Sequence, residues 1–184
     1  MEVKEKIINV LSSVKRTGIE NLLQWMDENG FYNAPCSSKY HLATPGGLAE
    51  HSYNVWIAAC SLLEAFYLKQ EKPFSQDFLD SLVICSLLHD LGKCGQYGKP
   101  NYILNEEYPF PVFETNKNLL YIPHEVRSIA IASQFIELTE EEQFAILHHN
   151  GLYSDLKNAL KNNETPLQMI IHFADLWACK VVEE

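Results

Sequence analysis

The sequence predicts an all-α protein, a bundle of helices carrying one long insertion. Three observations lead there. Apolar residues recur at helical spacing through most of the chain. Cap and stop signals bracket those stretches. One irregular segment, residues 92–122 with Pro100, Pro109 and Pro111, breaks the pattern and is too long for a simple connection. At 184 residues the chain is long enough for one domain with a sizeable core. The expectation is a single domain over 1–184, with residues 1–40 forming N-terminal helices that pack on it.

Residues 2–15 place Val3, Ile7, Val10, Leu11 and Val14 on one helical face, and Thr17-Gly18 ends that helix. Ile19, Leu22, Leu23 and Met26 suggest a second short helix, stopping near Asn29-Gly30. Residues 31–46 read as a loop rich in Pro, Ser and Gly. A long helix opens at Gly47 and runs to about residue 69, with Leu48, His51, Val55, Ala59, Leu62 and Phe66 on one face. The next, from about Ser75 to Leu91, is apolar nearly all round and so reads as buried, with Gly92 as its stop. Within the insertion, Tyr108–Phe113 suggests a short hairpin and the whole suggests a lid.

Pro123 looks like the first residue of a helix reaching Ile136. Thr139-Glu140-Glu141-Glu142 is a capping-box signature for a helix ending at His148-His149, before Asn150-Gly151. Residues 152–163 are weakly patterned. Thr165-Pro166 starts the last helix, striped by Ile170, Ala174, Trp177 and Val181.

Composition excludes several classes. The net charge is −10, which repels nucleic-acid backbones and disfavours a tight polymer binder, without excluding small anions near a metal. No apolar run is long enough for a membrane span, and the N-terminus lacks a signal-peptide pattern, so a cytoplasmic location is expected. Five scattered cysteines without a C-x-x-C pair argue for reduced thiols. All seven histidines fall after residue 40.

Helical periodicity sends His51, His89, Asp90 and Asp175 inward from three helices. A buried carboxylate is costly unless a cation or good donors meet it, and a metal ion would satisfy the set at once. His124 begins one helix and His148-His149 ends another, so they sit near the insertion and suit a second ion, with Asp90 bridging. Adjacent helical positions point in different directions, so one of His148 and His149 is the ligand. His148 is preferred, because it shares a face with Phe144 and Leu147.

The run Gly46-Gly47-Leu48-Ala49-Glu50-His51-Ser52, then Leu88-His89-Asp90-Leu91-Gly92-Lys93, then Ala174-Asp175, resembles the HD-domain superfamily of metal-dependent phosphohydrolases. The resemblance spans about Pro45 to Ala178 and implies His51, His89, Asp90 and Asp175 as metal ligands. The extra histidines resemble the H…HD…H…H…D subset, which binds two metals. The G-G-L-x-E-H-S and H-H-x-G runs are similar to the HD domain of bacterial 3′–5′ exoribonucleases of the YhaM type. The long insertion and the missing nucleic-acid-binding domain depart from those enzymes.

The implied activity is attack of metal-activated water on a phosphate ester or anhydride of a nucleotide or similar small phosphate. One or two divalent ions are expected, with Mn, Fe, Co, Ni or Zn favoured over Mg by imidazole-rich ligation. Asp90, Lys93 and Arg127 are the candidate catalytic groups. His41, Lys93, Arg127 and Tyr97 are the candidate substrate contacts. Each has an ordinary alternative: Lys93 as a solvated group at a helix C-terminus, Arg127 as a surface pair, Tyr97 as part of the insertion's own small core. His172, three residues before Asp175, reads as packing or orienting a ligand. Other activities for the same centre are a 3′–5′ exonuclease or cyclic-nucleotide phosphodiesterase, and a non-hydrolytic sensor or diiron oxygenase.

Overall fold

A computed structural model describes residues 2–67, 74–107, 110 and 112–183. Helices dominate it: α1 (Val3–Ser12), α2 (Ile19–Glu28), α3 (Gly47–Tyr67), α4 (Gln76–Leu88), α5 (His124–Ala132), α6 (Glu140–Leu147), α7 (Lys157–Leu160) and α8 (Pro166–Trp177). The only described strands are four short ones, β1 (Gly95–Gln96), β2 (Lys99–Pro100), β3 (Tyr102–Leu104) and β4 (Phe113–Thr115), all within the insertion. The fold is all-α, as its periodicity predicts.

Helix α3 runs through the middle and packs on α8, α4 and α1, while α6 bridges α4, α5 and α8. Leu48, Val55 and Ala59 of α3 meet Leu82, Ile84, Leu87 and Leu88 of α4 and Ile170, Ile171 and Ala174 of α8 in one core. The N-terminal helices join it through Ile7, Leu11, Leu22 and Met26, all fully buried. Side chains of this size each contribute about 2 kcal/mol on leaving water.

The local signals act where they were read. Thr139 Oγ1 accepts from the Glu142 backbone N–H and the Glu142 carboxylate accepts from the Thr139 N–H, completing the capping box. The buried Glu142 carboxylate also takes Arg16 Nη1 at 2.6 Å and Ser81 Oγ at 2.7 Å, which ties α6 to α4 and to the loop after α1. Thr165 caps α8 with Pro166 in the first turn.

Several ends differ from expectation. Helix α1 stops at Ser12 and α5 at Ala132, each in a turn that still buries the next apolar residues, Val14 and Ile136. Pro123 is the residue before α5, with extended backbone, and not its first helical residue. Helix α4 ends at Leu88, three residues early, and a 3₁₀ turn spans Leu91–Cys94.

The insertion pairs β1 with β2 and β3 with β4, both antiparallel. Residues 68–69, where α3 was expected to end, lie outside the described residues. So do residues 108, 109 and 111 of the expected Tyr108–Phe113 hairpin. Phe113 itself is in β4, opposite Leu104.

Candidate metal centre

His89 and Asp90 sit just past the end of α4. The last carbonyls of a helix lack intrahelical partners. His89 Nδ1 donates to one of them, Ser86 O, at 2.9 Å. The same device recurs at the end of α6, where His149 Nδ1 donates to Ile146 O at 2.8 Å. A ring hydrogen-bonded through Nδ1 carries its lone pair on Nε2. His51, one turn into α3, donates from Nδ1 to Glu183 at 3.0 Å, and His124 Nδ1 faces Glu125 Oε2 at 3.2 Å. In their neutral forms all four imidazoles therefore present bare Nε2 atoms.

Those atoms converge on Asp90. His51 Nε2 lies 3.3 Å from His89 Nε2, 3.2 Å from Asp175 Oδ1 and 3.5 Å from Asp90 Oδ2. His89 Nε2 is 3.5 Å from the same oxygen. Around the other oxygen, Asp90 Oδ1, stand His124 Nε2 at 3.2 Å and His149 Nε2 at 3.6 Å, themselves 3.3 Å apart. Donors bound to one ion at about 2.1 Å are themselves about 3.0–3.4 Å apart, so these spacings suit coordination.

Two facts make a cation the natural occupant. Facing lone pairs at 3.3 Å repel unless something positive lies between them. Asp90 Oδ1 is also buried without a hydrogen-bond partner among the described residues, since the neighbouring ring protons are committed elsewhere. Sets including His51–His89–Asp175 and His89–Asp90–His149 are able to hold a divalent ion.

The electrostatics agree. Burial opposes a charge on Asp90, but Lys93, His89 and His124 outweigh it and hold the carboxyl well below the usual carboxylate range. Asp175 is likewise lowered, burial being overcome by His51. Burial, then His89, depresses His149 to about 3, so it stays neutral and ready to ligate. His51 is raised well above its ordinary value: burial pulls it down, and Cys36, Asp175 and Glu183 pull it further up. A proton thus substitutes for the ion at His51. Below that raised pKa the proton holds the site; above it the lone pair is free. Metal affinity at the His51 position should therefore rise as pH rises through this range and then level off, measurable by chelator competition at a series of pH values.

The other candidates fall as follows. His148 is buried against Phe144, with ring centroids 4.6 Å apart, and its neighbour His149 is the one that joins the cluster. The helix ends at Leu147, so the expected preference for His148, which assumed a continuing helix, does not apply. His149→Ala should weaken metal binding about 100-fold or more, and His148→Ala should leave it within about 3-fold while lowering stability, as isothermal titration and denaturant unfolding would report. His172 Nδ1 donates to His149 O at 2.8 Å and packs over Gly151, so it positions the His149 backbone.

Lys93 Nζ reaches Asp90 Oδ2 at 2.6 Å. Arg127 turns away from the cluster. It is buried, with Nη1 on Gln96 Oε1 at 3.0 Å and Nη2 on Leu120 O at 2.7 Å, so the expected catalytic and phosphate-binding roles give way to a structural one. Tyr97 is 79% exposed at the tip of the β1–β2 turn, where it and Gly98 both adopt positive φ, the signature of a tight two-residue hairpin. His41 lies beside His51, ring centroids 5.1 Å apart, next to Cys36 and Cys179.

Sequence reasoning missed Glu183. After α8 the backbone widens into a π-helical turn over Ala178–Val182, and this returns Glu183 to His51 and to Asn54 Nδ2 at 3.1 Å. No periodic signal marks such a turn. A groove of about 880 Å³ lies between α3 and α8 along Ile57, Leu62, Phe173 and Trp177, and includes none of the six converging residues.

No curated protein and no solved structure matches the chain, so neither adds to the narrower likeness to exoribonucleases. The family described as HD domain matches residues 48–177, which takes in all six. With that match and an all-helical frame that gathers the H, HD, H, H and D side chains around one carboxylate, the chain belongs to the HD domain family, a superfamily of mostly metal-dependent phosphohydrolases.

Proposed function

We propose that this protein hydrolyses a phosphate ester or anhydride of a nucleotide or similar small phosphate. The supporting observation is the split of Asp90, one oxygen toward His51 and His89 and the other toward His124 and His149. In this reading His51, His89, Asp90 and Asp175 hold one ion, and Asp90, His124 and His149 a second. Divalent ions in such positions polarise a phosphoryl oxygen and make water nucleophilic near neutral pH. The nitrogen-rich donors favour Mn, Fe, Co, Ni or Zn over Mg.

The chain's own groups supply the rest. Glu183, Ser86 O and Ile146 O fix the imidazole tautomers. Lys93, held at Asp90, is the group that meets a phosphoryl oxygen of the substrate. His124 is the most open of the four rings, at 29% exposure, and marks the side of entry. The aromatic side chains of the insertion offer faces on which a base can stack. A net charge of −10 favours a small substrate over a nucleic-acid strand.

The test is the purified chain loaded with Mn, Co or Ni and offered nucleoside mono-, di- and triphosphates, short oligonucleotides and cyclic dinucleotides. Release of phosphate, pyrophosphate or triphosphate is the expected result. Shortening of oligonucleotides alone would move the assignment to an exonuclease. No turnover with metal bound, and oxygen uptake by the iron form, would overturn hydrolysis.

A further inference from the structure

Behind His51, on its Nδ1 side, a second group of donors gathers, touching the six-residue centre where Glu183 accepts from His51 Nδ1 at 3.0 Å and Cys179 Sγ lies 3.7 Å from Asp175 Oδ1. His41 Nε2 lies 3.2 Å from Cys179 Sγ, 3.3 Å from Cys36 Sγ and 3.9 Å from Glu183 Oε2. The donor atoms of His41, Cys179 and Glu183, with His51, all fall within 4.8 Å of one another. Two segments far apart in sequence supply them. Cys36 and His41 belong to the loop between α2 and α3, and Cys179 and Glu183 to the π-helical turn after α8.

The loop is built to hold its shape. Cys36 N donates to Leu42 O at 3.1 Å, Ser37 Oγ to His41 O at 2.9 Å, and Tyr40 N to Ser37 Oγ at 2.9 Å. Leu42 adopts a positive φ, and its carbonyl presses so closely on Gly47 that a side chain there would collide with it. Across from it, Glu183 is fixed by His51 and Asn54. The donors are thus presented by two braced backbones.

Thiolate, imidazole and carboxylate together form the ligand set of a borderline-soft divalent ion. A sulfur and a nitrogen on one tetrahedral zinc are about 3.5 Å apart, and Cys179 Sγ lies 3.2 Å from His41 Nε2 and 3.6 Å from His41 Nδ1. We propose that His41, Cys179 and Glu183 bind a zinc-class ion separate from the centre around Asp90. The Cys179 thiol gives its proton to solvent on ligation. The ion ties the α2–α3 loop to the turn after α8. It also holds Glu183, and through it the orientation of His51. None of this depends on the phosphohydrolase reading.

Cobalt is the probe. Sulfur bonded to Co(II) gives a near-ultraviolet charge-transfer band that nitrogen and oxygen ligands do not, and because Cys36 lies within reach of His51 and Asp90, the band assigned to the new site is the one that depends on Cys179. Titration of Co(II) into the reduced, metal-stripped full chain should develop this band. Cys179→Ser should abolish the band while cobalt at the Asp90 centre is retained, and Cys60→Ser, on α3, should leave it intact. Zinc should also slow alkylation of the partly exposed Cys179 in the wild-type chain, read by mass spectrometry, which needs no folded variant. The absence of a band at saturating cobalt, its survival in Cys179→Ser, or alkylation unaffected by zinc would each overturn the proposal. A sulfur band without phosphatase turnover would leave it standing and count only against the hydrolase reading.

Discussion

Asp90→Asn is expected to empty both metal positions at once and to lower phosphate release by about 1000-fold or more. The reason lies in how the two oxygens are shared. Oδ2 faces His51 and His89, and Oδ1 faces His124 and His149. An amide in the same place has one acceptor and one donor, so one imidazole pair meets an NH₂ where it needs an anion. The negative charge that both sets rely on is lost in either orientation. Lys93, bonded to Oδ2, also loses its partner, which should lower the stability of the metal-free protein by about 1–3 kcal/mol, given the residual exposure of its side chain. Metal content by mass spectrometry and denaturant unfolding in the presence of chelator separate the two effects. Retention of either ion by the variant would show that Asp90 is not shared.

Gly92→Ala is the second substitution with a large expected effect, and it contains no ligand atom. Gly92 lies in the 3₁₀ turn directly under α5. A methyl group there would run into the His124 carbonyl oxygen and come within 2.8 Å of Arg127 Cβ and 2.9 Å of Ser128 N. These are backbone and Cβ atoms, which move only if α5 moves. The Gly92 N–H also donates to Ser128 Oγ at 2.8 Å, fixing the approach. The expected cost is about 3 kcal/mol, at the upper end for overpacking, together with loss of the His124 contribution to metal binding. Gly98 is the control. It has φ +70 and open space around it, so Gly98→Ala should cost only about 1 kcal/mol and leave metal stoichiometry unchanged. Equal effects from the two substitutions would refute this account.

Much of this arrangement is legible in the residues themselves. His51 falls on the apolar stripe of α3, His89-Asp90 follows an all-apolar helix, and Asp175 lies beside the stripe of α8, so periodicity alone sends them inward. Thr139 and Glu142 announce their helix. What periodicity does not convey is how a helix stops. The choice between His148 and His149 turns on which ring reaches back to a free carbonyl, here Ile146 O, and that is decided by the break after Leu147. Arg127 looks like a phosphate ligand because it follows His124 by one turn. Its partners, Gln96 and the Leu120 carbonyl, become neighbours only once the insertion has folded. Glu183 escapes notice because a π-helical turn shifts the register after the last regular helix.

Arg127 has a consequence for the wall of the metal centre. Its two guanidinium arms grip residues 96 and 120, near the departure and return of the insertion, and its backbone belongs to the helix that starts with His124. Both roots of the excursion are thereby anchored to the wall of the metal centre. Tyr102, in β3, lies within electrostatic reach of Lys93 and Asp90, so its substitution should shift substrate preference, read as relative turnover across a nucleotide panel, where changes at the roots would instead unseat the wall.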